Sequence, residues 1–183
     1  MKNLLLLLVI ISILSCQKKV KPTHVIFTGS IENNNANSAK ISGNGFEKVI
    51  EITENGNFSD TLKIDKEGYY SLLIGRESTP VYLIQGANVG LTLNTKEFDE
   101  SLVYTGDIAA ENNYLAAKYL LSEKEMAFDK VYSLPEDKFI IELNKINSSY
   151  SDLLNSSTEV AKGFIKNETK ELEYAHINNI ENY

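Results

Sequence analysis

The stretch ENGNFSDTLKIDKEGYYSLLI, residues 54–74, decides the fold class because it alternates short apolar segments with turn residues. Residues 54–57 contain an Asn-Gly pair, which suits the positive φ angles of a tight turn and predicts a β-hairpin. The strand that follows is apolar on one face, which only Asp60 interrupts. After a second turn at residues 65–68, residues 69–74 are apolar on both faces and predict a central strand.

The same pattern extends from residue 24 to about residue 104, where short alternating runs are separated by Gly, Asn and Asp. It predicts seven or eight strands. The residues expected to face the interior are Val25, Phe27, Phe58, Leu62, Ile64, Ile50, Ile52, Val81, Leu83, Val89, Leu91 and Leu93. We therefore predict an antiparallel β-sandwich or partly open barrel over residues 23–105.

After Thr105-Gly106 the apolar period becomes helical, and Asp107 is placed to cap a first helix. Residues 133–136 and 156–159 match capping boxes that would open a second and a third helix. The apolar faces expected for the three helices are Ile108, Leu115, Tyr119 and Met126; Phe139, Leu143, Ile146, Tyr150 and Leu153; and Val160, Phe164 and Leu172. The prediction is an α+β chain with about three helices in residues 106–183.

The N-terminus has the features of an export signal. Lys2 precedes an apolar run that ends at Cys16, the only cysteine of the chain, and the run is too short to cross a bilayer. The pattern is typical of a bacterial lipobox. We expect residues 1–15 to be a signal peptide, Cys16 to be lipidated and held in the bilayer, and residues 16–22 to form the tether.

Composition and charge argue against several functional classes of protein. The chain is 43% hydrophobic and 23% charged, as in ordinary globular proteins. Its net charge is −7, which becomes −8 if Lys2 leaves with the leader, so we expect no nucleic-acid partner. With Cys16 acylated, the folded part has no disulfide, no redox cysteine pair and no thiolate zinc site. We expect no metal and no cofactor.

The remaining candidates have simpler structural interpretations. His24 and His176 are far apart in sequence and have no ligand-spaced neighbours, so we interpret them as surface or edge residues. The acidic pairs Asp99-Glu100 and Glu136-Asp137 would need a cleft to act as a hydrolase pair. The strand tyrosines that could line a glycan or peptide surface are Tyr69, Tyr70, Tyr82 and Tyr104. Half-buried packing is the commoner role for such residues. We predict no catalytic residue.

One family resemblance covers nearly the whole chain. Its most specific part is Tyr104-Thr105-Gly106 followed by Asn112-Asn113-Tyr114-Leu115. Shorter matches are Asn57-Phe58, Gly68-Tyr69, the run from Tyr82 to Gly86, Leu91-Thr92-Leu93 and Phe98. This order resembles the N-terminal accessory region of Bacteroidetes lipoproteins related to TlpA and ResA. The resemblance implies that, in that family, the accessory region is followed by a thioredoxin-like domain with a Trp-Cys-x-x-Cys segment.

The chain has no Trp and no second cysteine, so no catalytic residue of that family transfers to it. We expect a noncatalytic module of a membrane-anchored periplasmic thiol–disulfide oxidoreductase, ending before the redox domain. The other interpretation is a stand-alone envelope lipoprotein that binds glycan or peptide through its β domain. Gln17-Lys18-Lys19 lacks the acidic run of surface-export signals, so we expect attachment to the outer membrane, facing the periplasm.

The lipobox makes a direct prediction about Cys16. Cells that express the chain and are supplied with alkyne-tagged palmitate should label it, and Cys16→Ser should remove the label, because the thiol is the attachment point. Mass spectrometry of the purified protein gives the same answer independently. A free thiol on an uncut N-terminus would contradict lipidation.

Overall fold

The structure is a computed structural model that describes residues 23–183, except the side chain of Phe128. The expected leader, tether and Cys16 lie outside these residues. The strands are β1 Val25–Glu32, β2 Ser38–Gly43, β3 Phe46–Glu51, β4 Asn57–Leu62, β5 Gly68–Ile74, β6 Glu77–Leu83, β7 Asn88–Asn94 and β8 Val103–Gly106. The helices are α1 Phe98–Ser101, α2 Ala109–Glu125, α3 Phe128–Val131, α4 Glu136–Ser156 and α5 Lys162–Glu181.

The strands form two four-stranded sheets. Sheet A has the order β4-β1-β7-β8 and sheet B the order β3-β2-β5-β6. The predicted α+β fold, a sandwich followed by helices, is confirmed. Pairing is antiparallel except between β1 and β7, where Phe27 lies opposite Val89 in a parallel register. A parallel pair requires a long crossover, and sheet B is part of the chain that connects β1 to β7.

The two sheets enclose the main hydrophobic core. All the inward-facing residues expected from alternation are buried, and Tyr70, Leu72, Ile74 and Tyr104 join them. β5 lies in the interior of sheet B, as its two apolar faces predict. Ile108 and Ala116 also belong to this core, so α2 is packed directly onto the sandwich.

The hairpin predicted at residues 54–57 is not formed. The turn is present, with Gly56 at φ +77°, but β3 pairs with β2 in sheet B while β4 pairs with β1 in sheet A. The turn therefore links the two sheets. Its position is fixed by β1, because the Ile31 N–H donates to the Gly56 carbonyl at 2.9 Å. A Cβ on Gly56 would lie 2.1 Å from the Ile31 carbonyl oxygen.

Several backbone groups on the outer edge of β4, those of Asn57 and Thr61, are hydrogen-bonded from within the chain. The Asn57 carbonyl accepts hydrogen bonds from the Thr53 N–H and hydroxyl, both at 2.9 Å. The Asp60 carboxylate accepts from the Thr61 N–H at 2.6 Å. Lys48 of β3 donates to the Thr61 carbonyl at 3.0 Å and to Asp60 at 2.7 Å. The hydrogen bond from Lys48 is the main cause that lowers the pKa of Asp60.

The opposite edge of the sandwich is closed by two consecutive side chains of α2. The Asn112 amide accepts from the Tyr82 N–H at 2.7 Å and donates to the Tyr82 carbonyl at 3.1 Å. The Asn113 amide makes the same two bonds with Tyr104, at 2.8 and 2.9 Å. Tyr82 lies in β6 and Tyr104 in β8, the edge strands of the two sheets. We call this pair of contacts the asparagine clasp.

The predicted helical faces are confirmed in part. Phe139, Leu143 and Ile146 of α4 and Phe164 and Leu172 of α5 are buried. Four other predicted members are only half-buried: Tyr119, Met126, Tyr150 and Leu153. The predicted caps are wrong. Asp107 accepts from Asn88 of β7 instead of capping α2. Ser133 donates to the Lys130 carbonyl before α4 begins.

The second capping box fails for a similar reason. Ser156 and Ser157 donate to the Leu153 carbonyl and so end α4, and α5 begins only at Lys162 without a side-chain cap. In each case the side chain that the local pattern assigns to a helix start makes a different hydrogen bond. Its partner is either a nearby backbone carbonyl or a group from a distant strand.

The clasp makes a prediction about stability. Asn112→Ala should lower the free energy of unfolding by about 2–3 kcal/mol, because it leaves the Tyr82 N–H and carbonyl without partners at a largely buried site. Asn178→Ala, on the exposed surface of α5, is the matched control and should change it by less than about 0.5 kcal/mol. Urea unfolding followed by circular dichroism measures both. Equal effects of the two substitutions would contradict a role for the clasp.

Candidate functional site

The most unusual side chain in the described residues is Glu168 on α5, a charged group that is 0% exposed. Its carboxylate accepts hydrogen bonds from the Tyr69 hydroxyl at 2.7 Å and the Tyr114 hydroxyl at 3.3 Å. The Lys118 ammonium group forms a salt bridge and hydrogen bond with it. We call these four residues the Glu168 network. It joins sheet B to α2 and α5.

The network is held in place by an aromatic cluster around Phe164, one turn before Glu168. The Phe164 ring lies 6.0 Å from Tyr69, 5.0 Å from Tyr82 and 5.8 Å from Tyr114, between ring centroids. The contacts with Tyr82 and Tyr114 are edge-to-face, the favoured geometry for such pairs. These rings exclude water from one side of the Glu168 carboxylate.

Electrostatics keep the two tyrosines as hydrogen-bond donors. Burial, reinforced by the hydrogen bond and charge of Glu168, raises the pKa of Tyr69 well above its ordinary value. Burial and then the Glu168 charge raise the pKa of Tyr114 in the same direction. Both hydroxyls therefore stay protonated near neutral pH, and Lys118 supplies the positive charge that balances the carboxylate.

A second buried carboxylate lies nearby on α2. Glu111 is 6% exposed and accepts a hydrogen bond from the Ala161 N–H at 3.0 Å, just before α5 begins. It thus supplies from another helix the acceptor that the local sequence at residues 156–159 does not. Sequence analysis identified neither Glu111 nor Glu168. The available signal for Glu168 was its place between Phe164 and Leu172 on an otherwise apolar helical face.

A groove of about 410 Å³ lies beside the network, between β6 and helices α2, α4 and α5. Its apolar lining includes Pro80, Leu115, Met126, Leu172 and Ala175, and its polar lining includes Lys118, Tyr119, Tyr150, Glu171 and Asn179. A mainly apolar concavity with a few polar groups is the usual form of a small-ligand site. Outside this groove, the polar groups of the Glu168 network bond one another and so hold elements of the fold together.

The four candidate tyrosines do not form an exposed surface. Tyr70 and Tyr104 are buried in the sandwich core at 4% and 2% exposure, and Tyr69 and Tyr82 lie under Phe164. The Tyr104 and Thr79 hydroxyls are buried and have no hydrogen-bond partner in the described structure. Burial is the main cause that raises the pKa of Tyr104.

The other candidates are also separated. His24 is exposed, and His176 is half-buried with its Nδ1 lacking a hydrogen-bond partner in the described structure. Glu136 and Asp137 lie in the first turn of α4, and Asp99 and Glu100 in that of α1. Burial and then the charge of Glu123 raise the pKa of Asp99. Within residues 23–183, no three histidine, cysteine or acidic side chains are grouped so that they could hold a metal ion.

Comparisons with known proteins give little further information. No family model matches the chain, and no curated protein matches it. Among solved structures, it is similar to a protein from Bacteroides ovatus whose description proposes a role in cell adhesion, with TM-score 0.32 and 11% identity. That match covers 48% of this chain and 44% of the other.

The chain is also similar to a DUF3823 family protein from Parabacteroides merdae, with TM-score 0.28 and 16% identity. This match covers 46% of this chain and 47% of the other. The chain therefore matches less than half the length of either structure. Likeness at this level carries no argument about fold or function.

The Glu168 network predicts an ordered pair of stability changes. Lys118→Met should lower the free energy of unfolding by about 3 kcal/mol, because it leaves a buried carboxylate without a cation. Glu168→Gln should lower the free energy of unfolding by less, about 1–2 kcal/mol, because Lys118 is 27% exposed and can reach water. The Gln carbonyl can still accept from one tyrosine hydroxyl, while its N–H₂ group donates to the other. Denaturant unfolding at pH 7 measures both.

The control is Lys145→Met, which removes a salt bridge whose side chains are 70% and 36% exposed. It should change the free energy of unfolding by less than about 0.5 kcal/mol. If Glu168→Gln proved more costly than Lys118→Met, the assignment of Glu168 as the desolvated member of the pair would be wrong.

Proposed function

We propose that this chain is a noncatalytic module of the bacterial cell envelope, anchored through Cys16, which positions a thioredoxin-like redox domain near its clients. The lipobox and the resemblance to accessory regions of TlpA- and ResA-related lipoproteins support this proposal. A tether and a rigid module raise the effective concentration of an attached domain at the membrane surface. Along residues 23–183, no helix has the length and apolar character that a membrane crossing requires.

The main support for the proposal is that the residues on which the family resemblance rests also join the sandwich to its helices. Tyr104 is buried, Asn112 and Asn113 form the clasp, and Leu115 is 1% exposed. Gly106 has φ +97°, and a Cβ there would lie 2.2 Å from the Asn88 carbonyl oxygen. The motif therefore joins the sandwich to its helices, as expected for a module that holds other parts in place.

Rigidity follows from how these contacts are distributed. The sandwich core includes Ile108, directly before α2, and Ala116 within it. The Glu168 network then ties α5 to both α2 and sheet B. A body joined in this way can hold a neighbouring domain at a fixed orientation, which a flexible linker alone does not do.

The second candidate is an envelope lipoprotein that binds glycan or peptide through its β domain, and one feature of sheet A favours it. The outward face of this sheet carries Thr28 and Ser30 on β1, Ser59 and Thr61 on β4, and Thr92 on β7. In the strand registers, Thr28 is opposite Ser59 and Ser30 is opposite Thr92. Such a row of hydroxyl groups could bind a hydrated polar ligand.

A genetic experiment separates the two candidates. The proposed module predicts that the reading frame in the source genome continues past the codon of Tyr183 into a segment encoding Trp-Cys-x-x-Cys. The corresponding full-length protein should then reduce insulin disulfides, and replacing both downstream cysteines by serine should abolish this. A natural stop codon with no downstream thioredoxin frame would reject the module and favour the second candidate.

A further inference from the structure

Exposed apolar side chains are concentrated at the end of α5. Tyr174, Ile177 and Ile180 are 60%, 49% and 42% exposed, although they lie within seven residues of one another. The exposed large apolar residues in the strands, such as Val49 and Val103, are separated along the chain, and single residues of that kind are ordinary. A cluster of exposed apolar residues on one helix is a candidate surface for contact with another molecule.

The cluster has a charged residue at each end. Lys170, Tyr174, Ile177 and Glu181 are spaced by four, three and four residues, so they follow one face of α5. All four are exposed, whereas the helix buries Phe164, Glu168 and Leu172. Neither Lys170 nor Glu181 takes part in a salt bridge between described residues. We call these four residues the α5 seam.

The α5 seam of one copy can pair with the same seam of a second copy that runs in the opposite direction. Because the spacing is the same in both directions, an antiparallel second copy places Lys170 opposite Glu181 of the other copy. The same arrangement places Tyr174 opposite Ile177 of the other copy. A parallel arrangement would instead place like charges together. Two-fold symmetry requires such a self-complementary patch.

The helix dipole favours the same arrangement. The last turn of α5 contains no basic residue, so the partial negative charge of its carboxyl end is not balanced within the chain. In the antiparallel pair, Lys170 of the second copy lies beside this end. The partner that fits the seam is therefore one with an apolar centre and a cation at the matching distance, which this chain itself provides.

We propose that two copies of this chain associate through antiparallel pairing of their α5 seams. The seam is about 16 Å long, from the helical rise of its residues. Such a short contact gives a weak and reversible dimer. Attachment of both copies to one membrane would strengthen it by confining them.

Sedimentation equilibrium across the micromolar range tests the proposal. A lipid-free form, residues 17–183, is suitable because residues 23–183, the part that the structure describes, form three hydrophobic cores among themselves. We expect a monomer–dimer equilibrium that Ile177→Lys weakens by at least about tenfold. The matched control is Val103→Lys, which changes a residue of equal exposure, 49%, on β8 and should leave the equilibrium unchanged. Circular dichroism checks that both variants fold.

Charge reversal gives a sharper test of the antiparallel register. Lys170→Glu and Glu181→Lys should each weaken the dimer, and the double variant should restore it, because the two charges then exchange places. Failure of the double variant to restore the dimer would overturn the proposed register. A monomer at all concentrations would overturn the dimer itself. Binding to phosphatidylcholine vesicles that Ile177→Lys abolishes, without dimerisation, would assign the surface to membrane instead.

Discussion

The structure depends on one helix, α2, which joins the edge strands of two separate sheets. Edge strands carry unpaired backbone groups that must find partners. Here two consecutive asparagine amides supply them, Asn112 to β6 and Asn113 to β8. Because both side chains come from one turn of α2, the clasp fixes the helix against both sheets at once. This position in turn brings Tyr114 and Lys118 to Glu168.

The elements that sequence analysis predicted correctly depend on local periodicity. Alternation over β1, β4 and β7 reports which face is buried, and the spacing from Phe139 to Ile146 reports a helical face, so these follow from the chain itself. The errors concern partners that are distant in sequence. Asp107 bonds to Asn88, and residues 54–57 connect two sheets, because tertiary contacts compete with the local pattern.

The candidate site was less predictable for the same reason. The tyrosines Tyr69 and Tyr82 were recognised as strand residues, but they are covered by Phe164, which lies more than eighty residues later in the chain. Glu168 is buried only because Lys118 and two tyrosine hydroxyls reach it from other elements. A charged residue on an apolar helical face is the one local sign that such a network exists, and it does not identify the partners.

The outer edge of β4 has a consequence for contacts between copies of the chain. Thr53, Asp60 and Lys48 already bond the backbone groups of Asn57 and Thr61, so this edge offers fewer free sites to a neighbouring polypeptide. A second copy that approaches this edge therefore finds fewer free backbone groups through which to extend the sheet. The lysine that forms a salt bridge with Asp60, the one acidic interruption of the strand's apolar face, is thus also a residue that limits edge-to-edge pairing.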